Sequence, residues 1–161
     1  MVIKEKTHRL DRELYRGVVS VSFTLCIQDK KRLFIEPNSV QTFINILTEL
    51  IQKTPSKVPV YCFMPDHLHL LIQGTSSESD VWKTVVSFKQ KTGFWLASNK
   101  PEIKWQKDFY DHVVRNHEKF AVLVRYILDN PVRKGLARSW EDYPYKGAVG
   151  YELNDVLNGI L

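Results

Sequence analysis

The stretch "VYCFMPDHLHLLIQG", residues 60–74, contains two strand-like segments that meet at Pro65 and Asp66. Short apolar runs separated by turn-forming residues are typical of two strands that pair as a hairpin. Further upstream, "VVSVSFTLCIQ" alternates apolar and polar residues from Val18 onward, which is the period of a half-buried strand. Together these segments predict an antiparallel sheet.

Three helices are predicted around these strands. Ser39 and Asp80 each precede a helical pattern of apolar residues, and Asn116 precedes a third helix over 117–130, so all three are candidate N-caps. Pro131 disfavours helical geometry at the residue before it and should end the third helix. "FYDHVV" is a short strand candidate. Because helices interleave with alternating strands, we expect an α+β fold whose antiparallel sheet is covered by helices on one face.

Composition predicts one globular domain over residues 1–161, with a basic N-terminal segment (1–17) and a C-terminal tail (147–161). Hydrophobic residues make up 43% of the chain, and the net charge of +5 favours a polyanionic partner. Cys26 and Cys62 lie in strand-like segments without metal-type spacing, which predicts reduced, buried cysteines. The N-terminus has no apolar signal core, and no run is long enough to span a membrane, so we expect a cytoplasmic protein without a membrane partner.

His67 and His69 share one face of their strand, because side chains two residues apart point the same way. Two imidazoles at this spacing can reach one divalent cation, but a third ligand must come from elsewhere in the chain. The alternative is a structural histidine pair. The pattern also rules out a histidine-triad nucleotide hydrolase, since Leu71 stands where that chemistry needs a third histidine.

In the stretch "FAVLVRYILDNPVRKGL", Tyr126 lies off the centre of the apolar stripe, and Asn130 is on the same flank one helical turn later. Beside a divalent cation, a phenol can attack a phosphodiester and form a covalent phosphotyrosine. The amide oxygen of Asn130 would then be available as the third ligand. Two structural alternatives remain open: a half-covered tyrosine with its hydroxyl in water, and an asparagine that ends the helix before proline.

Four motifs occur in order along the chain: "MPDHLHLL", "WQKDFYDHVVRN", "RYILDNPVRKGL" and "WEDYPY". With them, the region from about Val18 to Lys146 resembles the single-tyrosine HUH transposase superfamily, in particular the REP-associated tyrosine transposases. The resemblance implies that His67, His69 and Asn130 bind Mg²⁺ or Mn²⁺ and that Tyr126 is the nucleophile. It also implies a ferredoxin-like antiparallel sheet and a hairpin-containing single-stranded DNA substrate derived from repeats.

The same resemblance implies the reaction: a DNA transposase that acts as single-strand endonuclease and strand transferase through a 5′-phosphotyrosine, as a monomer or homodimer. One alternative is a domesticated hairpin-DNA-binding protein, such as a repressor, that no longer cleaves. Another is a metal phosphohydrolase that uses water, in which case cleavage would survive Tyr126→Phe.

Basic residues near the motifs are the candidate DNA contacts, since lysine and arginine bind phosphates through charge and counterion release. They are Arg9, Arg12, Arg16, Lys89, Lys91, Lys107, Arg133 and Lys134. Asp111 and His112 also lie in a motif, and strand alternation can direct only one of them toward the metal face.

Overall fold

The computed structural model describes residues 11–159, within which five strands form one sheet. The strands are β1 (Ser20–Cys26), β2 (Ser56–Met64), β3 (His67–Gly74), β4 (Tyr110–Val114) and β5 (Lys146–Val149). Their order across the sheet is β4-β1-β3-β2-β5, and every neighbouring pair is antiparallel. The chain runs βαββαβ through β4, so the predicted ferredoxin-like α+β fold is confirmed.

The prediction that helices cover one face of the sheet is wrong, because they cover both. Helices α1 (Pro37–Gln52) and α2 (Val81–Asn99) pack on one face, while α3 (His117–Arg133) and the short α4 (Leu153–Leu157) pack on the other. The reason lies in two adjacent interior strands, β2 and β3, which carry apolar side chains on both faces. On the α3 face these are Val60, Cys62, Met64 and Leu71.

Two of the three predicted helix caps are confirmed. The side chain of Asp80 accepts a hydrogen bond from the backbone N–H of Lys83 at 3.1 Å, and Asn116 accepts one from Lys119 at 2.9 Å. Ser39 is not a cap, because α1 begins two residues earlier at Pro37, whose fixed φ suits the first helical position. The Ser39 hydroxyl is buried and donates to a carboxylate oxygen of Glu36 at 3.1 Å.

Helix α3 continues one turn beyond its predicted end at Asn130, with Pro131 inside the helix. A proline this close to a helix C-terminus removes a single N–H donor, and the backbone N–H of Lys134 still bonds to the carbonyl of Asn130 at 3.0 Å. The extra turn keeps Arg133 close to Asn130. Strand β5, which pairs with β2, overlaps the C-terminal tail (147–161), where no strand was predicted.

Both cysteines are free, as predicted. Cys62 is fully buried and Cys26 is half-buried, and burial raises the pKa of the Cys62 thiol to about 12. Across residues 11–159, the helices are too short or too polar for any of them to span a bilayer.

Candidate active site

His67 and His69 lie on the same face of β3, as their alternation predicted, and α3 covers this face. Their Nε2 atoms are 3.2 Å apart, and their rings meet edge to face with centroids separated by 4.8 Å. His69 is buried, whereas His67 is partly exposed at the start of β3. The two imidazoles therefore present one nitrogen each to a single point.

The partners of the other ring nitrogens indicate which tautomer each histidine adopts. Nδ1 of His67 lies 2.7 Å from Oδ1 of Asp66, and a carboxylate only accepts, so the proton is on Nδ1. Nδ1 of His69 lies 3.3 Å from the hydroxyl of Thr24, which can accept in the same way. With Nδ1 protonated on both rings, the two Nε2 lone pairs face each other across 3.2 Å, an arrangement that fits a cation held between them.

Asn130 completes the cluster from α3. Its side chain is buried, with Nδ2 2.5 Å from Nε2 of His69, and its Oδ1 accepts from the Arg133 guanidinium at 2.9 Å. A half-turn of the amide directs the oxygen toward the histidines, and it breaks the hydrogen bond from Arg133, because the amide nitrogen cannot accept from a guanidinium. Residues 11–159 contain no metal-type cluster of three or more His, Cys, Asp or Glu side chains. Asn130 is the amide that lies beside the histidine pair.

The pKa of His69 is lowered to about 3 by burial, with further contributions from His67 and Arg133. The imidazole is therefore neutral at physiological pH. Since only the neutral ring has a lone pair for a metal, His69 needs to lose no proton on binding a cation.

Tyr126 lies one helical turn before Asn130 and is 40% exposed, which confirms its position on the flank of α3. The guanidinium of Arg133 lies 4.1 Å from the centre of its ring. The same guanidinium donates to the backbone carbonyl of Tyr126 at 3.1 Å and to the Asn130 amide oxygen. Arg133 thus connects the candidate nucleophile to the candidate metal ligand.

Of the two motif residues on β4, His112 faces α3 and Asp111 faces the other way. Asp111 pairs with Phe23, is buried, and accepts a hydrogen bond from the hydroxyl of Tyr15. His112 is exposed and lines a groove of about 370 Å³ together with Tyr126. This arrangement places Asp111 on the face opposite the histidines.

Sequence reasoning missed Asp66 and Thr24 as partners of the histidines. Asp66 is adjacent to His67, so its position in "PDH" was an available signal. Thr24 lies more than forty residues from His69 in sequence and becomes its neighbour only through the β1–β3 register.

The candidate DNA contacts fall into separate groups, and Arg9 lies outside the described residues. Arg12 and Arg16 form ion pairs with Asp80 at 3.5 and 4.0 Å. Lys89 donates to the carbonyls of residues 106 and 107, while Lys91 lies on α2 and Lys107 in the loop before β4. Arg133 and Lys134, at the end of α3, are the two that lie beside the histidine cluster.

Comparison with known proteins points to one family. The family model described as "Transposase IS200 like" matches residues 18–130. An Escherichia coli K12 protein named REP-associated tyrosine transposase is 24% identical over 126 residues, covering 76% of this chain and 72% of the relative. A Haemophilus influenzae protein that carries the same name provisionally is 25% identical over 134 residues and covers 76% of each chain.

A solved structure of a REP-associated tyrosine transposase bound to a REP hairpin has the same fold. It superposes with a TM-score of 0.74 at 20% identity, covering 88% of this chain and 81% of that one. The family match covers well over half of the chain and includes both histidines, Tyr126 and Asn130. The chain therefore belongs to the IS200-like transposase family.

Proposed function

We propose that this protein is a REP-associated type of transposase that cleaves and rejoins single-stranded DNA through Tyr126. The proposal depends chiefly on one observation. Two imidazole nitrogens 3.2 Å apart face the same point, a buried asparagine amide lies 2.5 Å from one of them, and a tyrosine lies one helical turn away. Such a site combines ligands for a cation with a nucleophile for phosphoryl transfer.

In the proposed site, His67, His69 and Asn130 would hold Mg²⁺ or Mn²⁺, and an ion bound there would supply Lewis-acid polarisation of a phosphodiester oxygen. The Tyr126 phenol oxygen attacks phosphorus and loses its proton. A new O–P bond to tyrosine forms while the bond from phosphorus to the 3′ oxygen breaks, and that oxygen leaves as a 3′-hydroxyl. Attack by a 3′-hydroxyl on the phosphotyrosine then rejoins DNA and releases the tyrosine, so no ATP is consumed.

We further propose that the substrate is single-stranded DNA with a hairpin, taken from repeats. The support is the structural neighbour described above, a transposase whose structure was solved with a REP hairpin bound. The net charge of +5 is consistent with a nucleic-acid partner. The protein would act as a monomer or homodimer.

The test compares wild type, Tyr126→Phe and the control Tyr145→Phe, a half-buried tyrosine next to β5. Each is incubated with end-labelled hairpin DNA from the flanks of its gene, with Mn²⁺ or with chelator, and resolved on a denaturing gel. We expect a protein-linked 5′ product from wild type and Tyr145→Phe that disappears in chelator and in Tyr126→Phe. Cleavage that persists in Tyr126→Phe would indicate a water-using hydrolase, and binding without any cleavage would indicate a non-cleaving DNA-binding protein.

A further inference from the structure

A groove of about 690 Å³ opens beside His67, at the edge of the candidate active site. Its walls come from four parts of the chain: the end of β1 with the loop after it, the β2–β3 turn with His67, the segment that leads into β4, and the end of α3. We call it the Lys30 groove, after the residue that stands at its β1 side. Its basic lining residues are Lys30, Arg32 and Lys134.

These three cations are exposed, and none of them has a carboxylate or side-chain hydrogen-bond partner within residues 11–159. The acid in the groove, Asp66, is already hydrogen bonded to His67. The groove therefore concentrates positive charge that the protein itself does not neutralise.

The other candidate basic residues are either already paired within the protein or lie on another face of the sheet. Arg12 and Arg16 are paired with Asp80, and the ammonium of Lys89 donates to two backbone carbonyls. Lys91 is exposed but lies on α2, which packs on the sheet face opposite His69. Among the described residues that the sequence suggested as DNA contacts, Lys134 alone lines the Lys30 groove. Lys30 and Arg32 were not among the residues that the sequence suggested.

We infer that the Lys30 groove is the path by which a single DNA strand reaches the histidines, with Lys30, Arg32 and Lys134 binding the phosphates next to the scissile one. The inference rests on the proposed function and specifies its DNA-binding surface. Unpaired lysine and arginine side chains around a groove bind a phosphate backbone and release its counterions. The ring of Tyr110 also lines the groove and supplies a surface on which a base can stack.

The test measures binding to a labelled single-stranded hairpin oligonucleotide by fluorescence anisotropy at several salt concentrations. All variants carry Tyr126→Phe and are measured in chelator, so the result does not depend on cleavage or on metal. The groove triple variant is Lys30→Ala, Arg32→Ala and Lys134→Ala. The control triple variant removes the same charge from α2 and from the residues that follow α1 and α2, none of which lines the groove: Lys53→Ala, Lys83→Ala and Lys100→Ala.

For a single strand, each phosphate contact contributes about −0.7 to the slope of log K against log salt concentration. Losing three contacts should therefore reduce the magnitude of this slope by about 2 in the groove triple variant. Since log K changes by the slope multiplied by log salt concentration, the affinity of the groove triple variant for the oligonucleotide should fall roughly 100-fold at about 0.1 M salt. The control triple variant should change the magnitude of the slope by less than about 0.7, the value of a single contact. Tyr110→Leu should weaken binding roughly tenfold with no change in slope, since stacking releases no counterions.

If the control triple variant reduces the magnitude of the slope as much as the groove triple variant does, the inference is wrong, and the DNA binds on the α2 side of the sheet. A groove triple variant that retains the wild-type slope would overturn it as well. If the groove variants lose binding but wild type forms no tyrosine-linked product, the strand path stands and the proposed nuclease activity fails. If wild type cleaves while the groove triple binds normally, the activity stands and the strand path fails.

Discussion

Replacing Asp66 with asparagine removes the negative charge beside His67 but keeps an oxygen that can accept its Nδ1–H. In the structure this contact is 2.7 Å long and orients the ring so that Nε2 faces His69. The change therefore tests whether the carboxylate prepares His67 as a metal ligand, with little change in side-chain volume.

The expected magnitude follows from the contact and its exposure. Partners of ligating histidines contribute 10- to 100-fold to metal affinity, and a charge-assisted hydrogen bond is about twice as strong as a neutral one. The side chains of Asp66 and His67 are 34% and 20% exposed, so water screens part of the interaction. We expect Asp66→Asn to weaken Mn²⁺ binding about tenfold, or about 1.4 kcal/mol. Thr24→Val, which removes a longer and neutral contact, should have a smaller effect.

Titration of the metal-free protein with Mn²⁺ by calorimetry measures these affinities directly. The matched control is Glu49→Gln, which removes one carboxylate from α1 on the opposite face of the sheet. If Asp66→Asn and Glu49→Gln change the dissociation constant equally, the proposed role of Asp66 is wrong. If His69→Ala binds Mn²⁺ as tightly as wild type, the histidine pair is not the metal site at all.

Two further predictions concern stability and are measured by urea unfolding. A Cβ on Gly74 would collide with the backbone oxygen of Gly17, so Gly74→Ala should destabilise the fold by about 1–3 kcal/mol or more. Gly93→Ala, in the interior of α2 with no atom within 4 Å of the new Cβ, should instead stabilise it by up to about 1 kcal/mol; equal effects of the two changes would contradict this packing argument. Tyr143→Phe removes a buried hydroxyl that donates to the carbonyl of Phe63 at 2.5 Å, and should cost about 1–3 kcal/mol. An unchanged urea midpoint would contradict this prediction.

Local patterns predicted those parts of the fold that depend on local physics. Alternation in β1, the turn at Pro65 and Asp66, and the caps Asp80 and Asn116 are confirmed because each reflects backbone geometry within a few residues. The end of α3 was misplaced because packing of its apolar stripe against β2 and β3 outweighs the loss of one hydrogen bond at Pro131. Strand β5 was missed because its four residues acquire a strand conformation by pairing with β2.

The sequence by itself determined the types and spacing of the candidate site residues: two histidines on one strand face, and a tyrosine and an asparagine one helical turn apart. Spacing within one strand or one helix is fixed by the 2.0 and 3.6 residue periods, so it can be read without tertiary information. Only the tertiary structure decided that α3 lies across β3 and brings Asn130 to His69, and that Thr24 and Asp66 hold the two imidazoles. It also decided which cations remain unpaired beside His67. These contacts join residues far apart in the chain, and they arise from the sheet register and from the burial of apolar surface on both faces of the sheet.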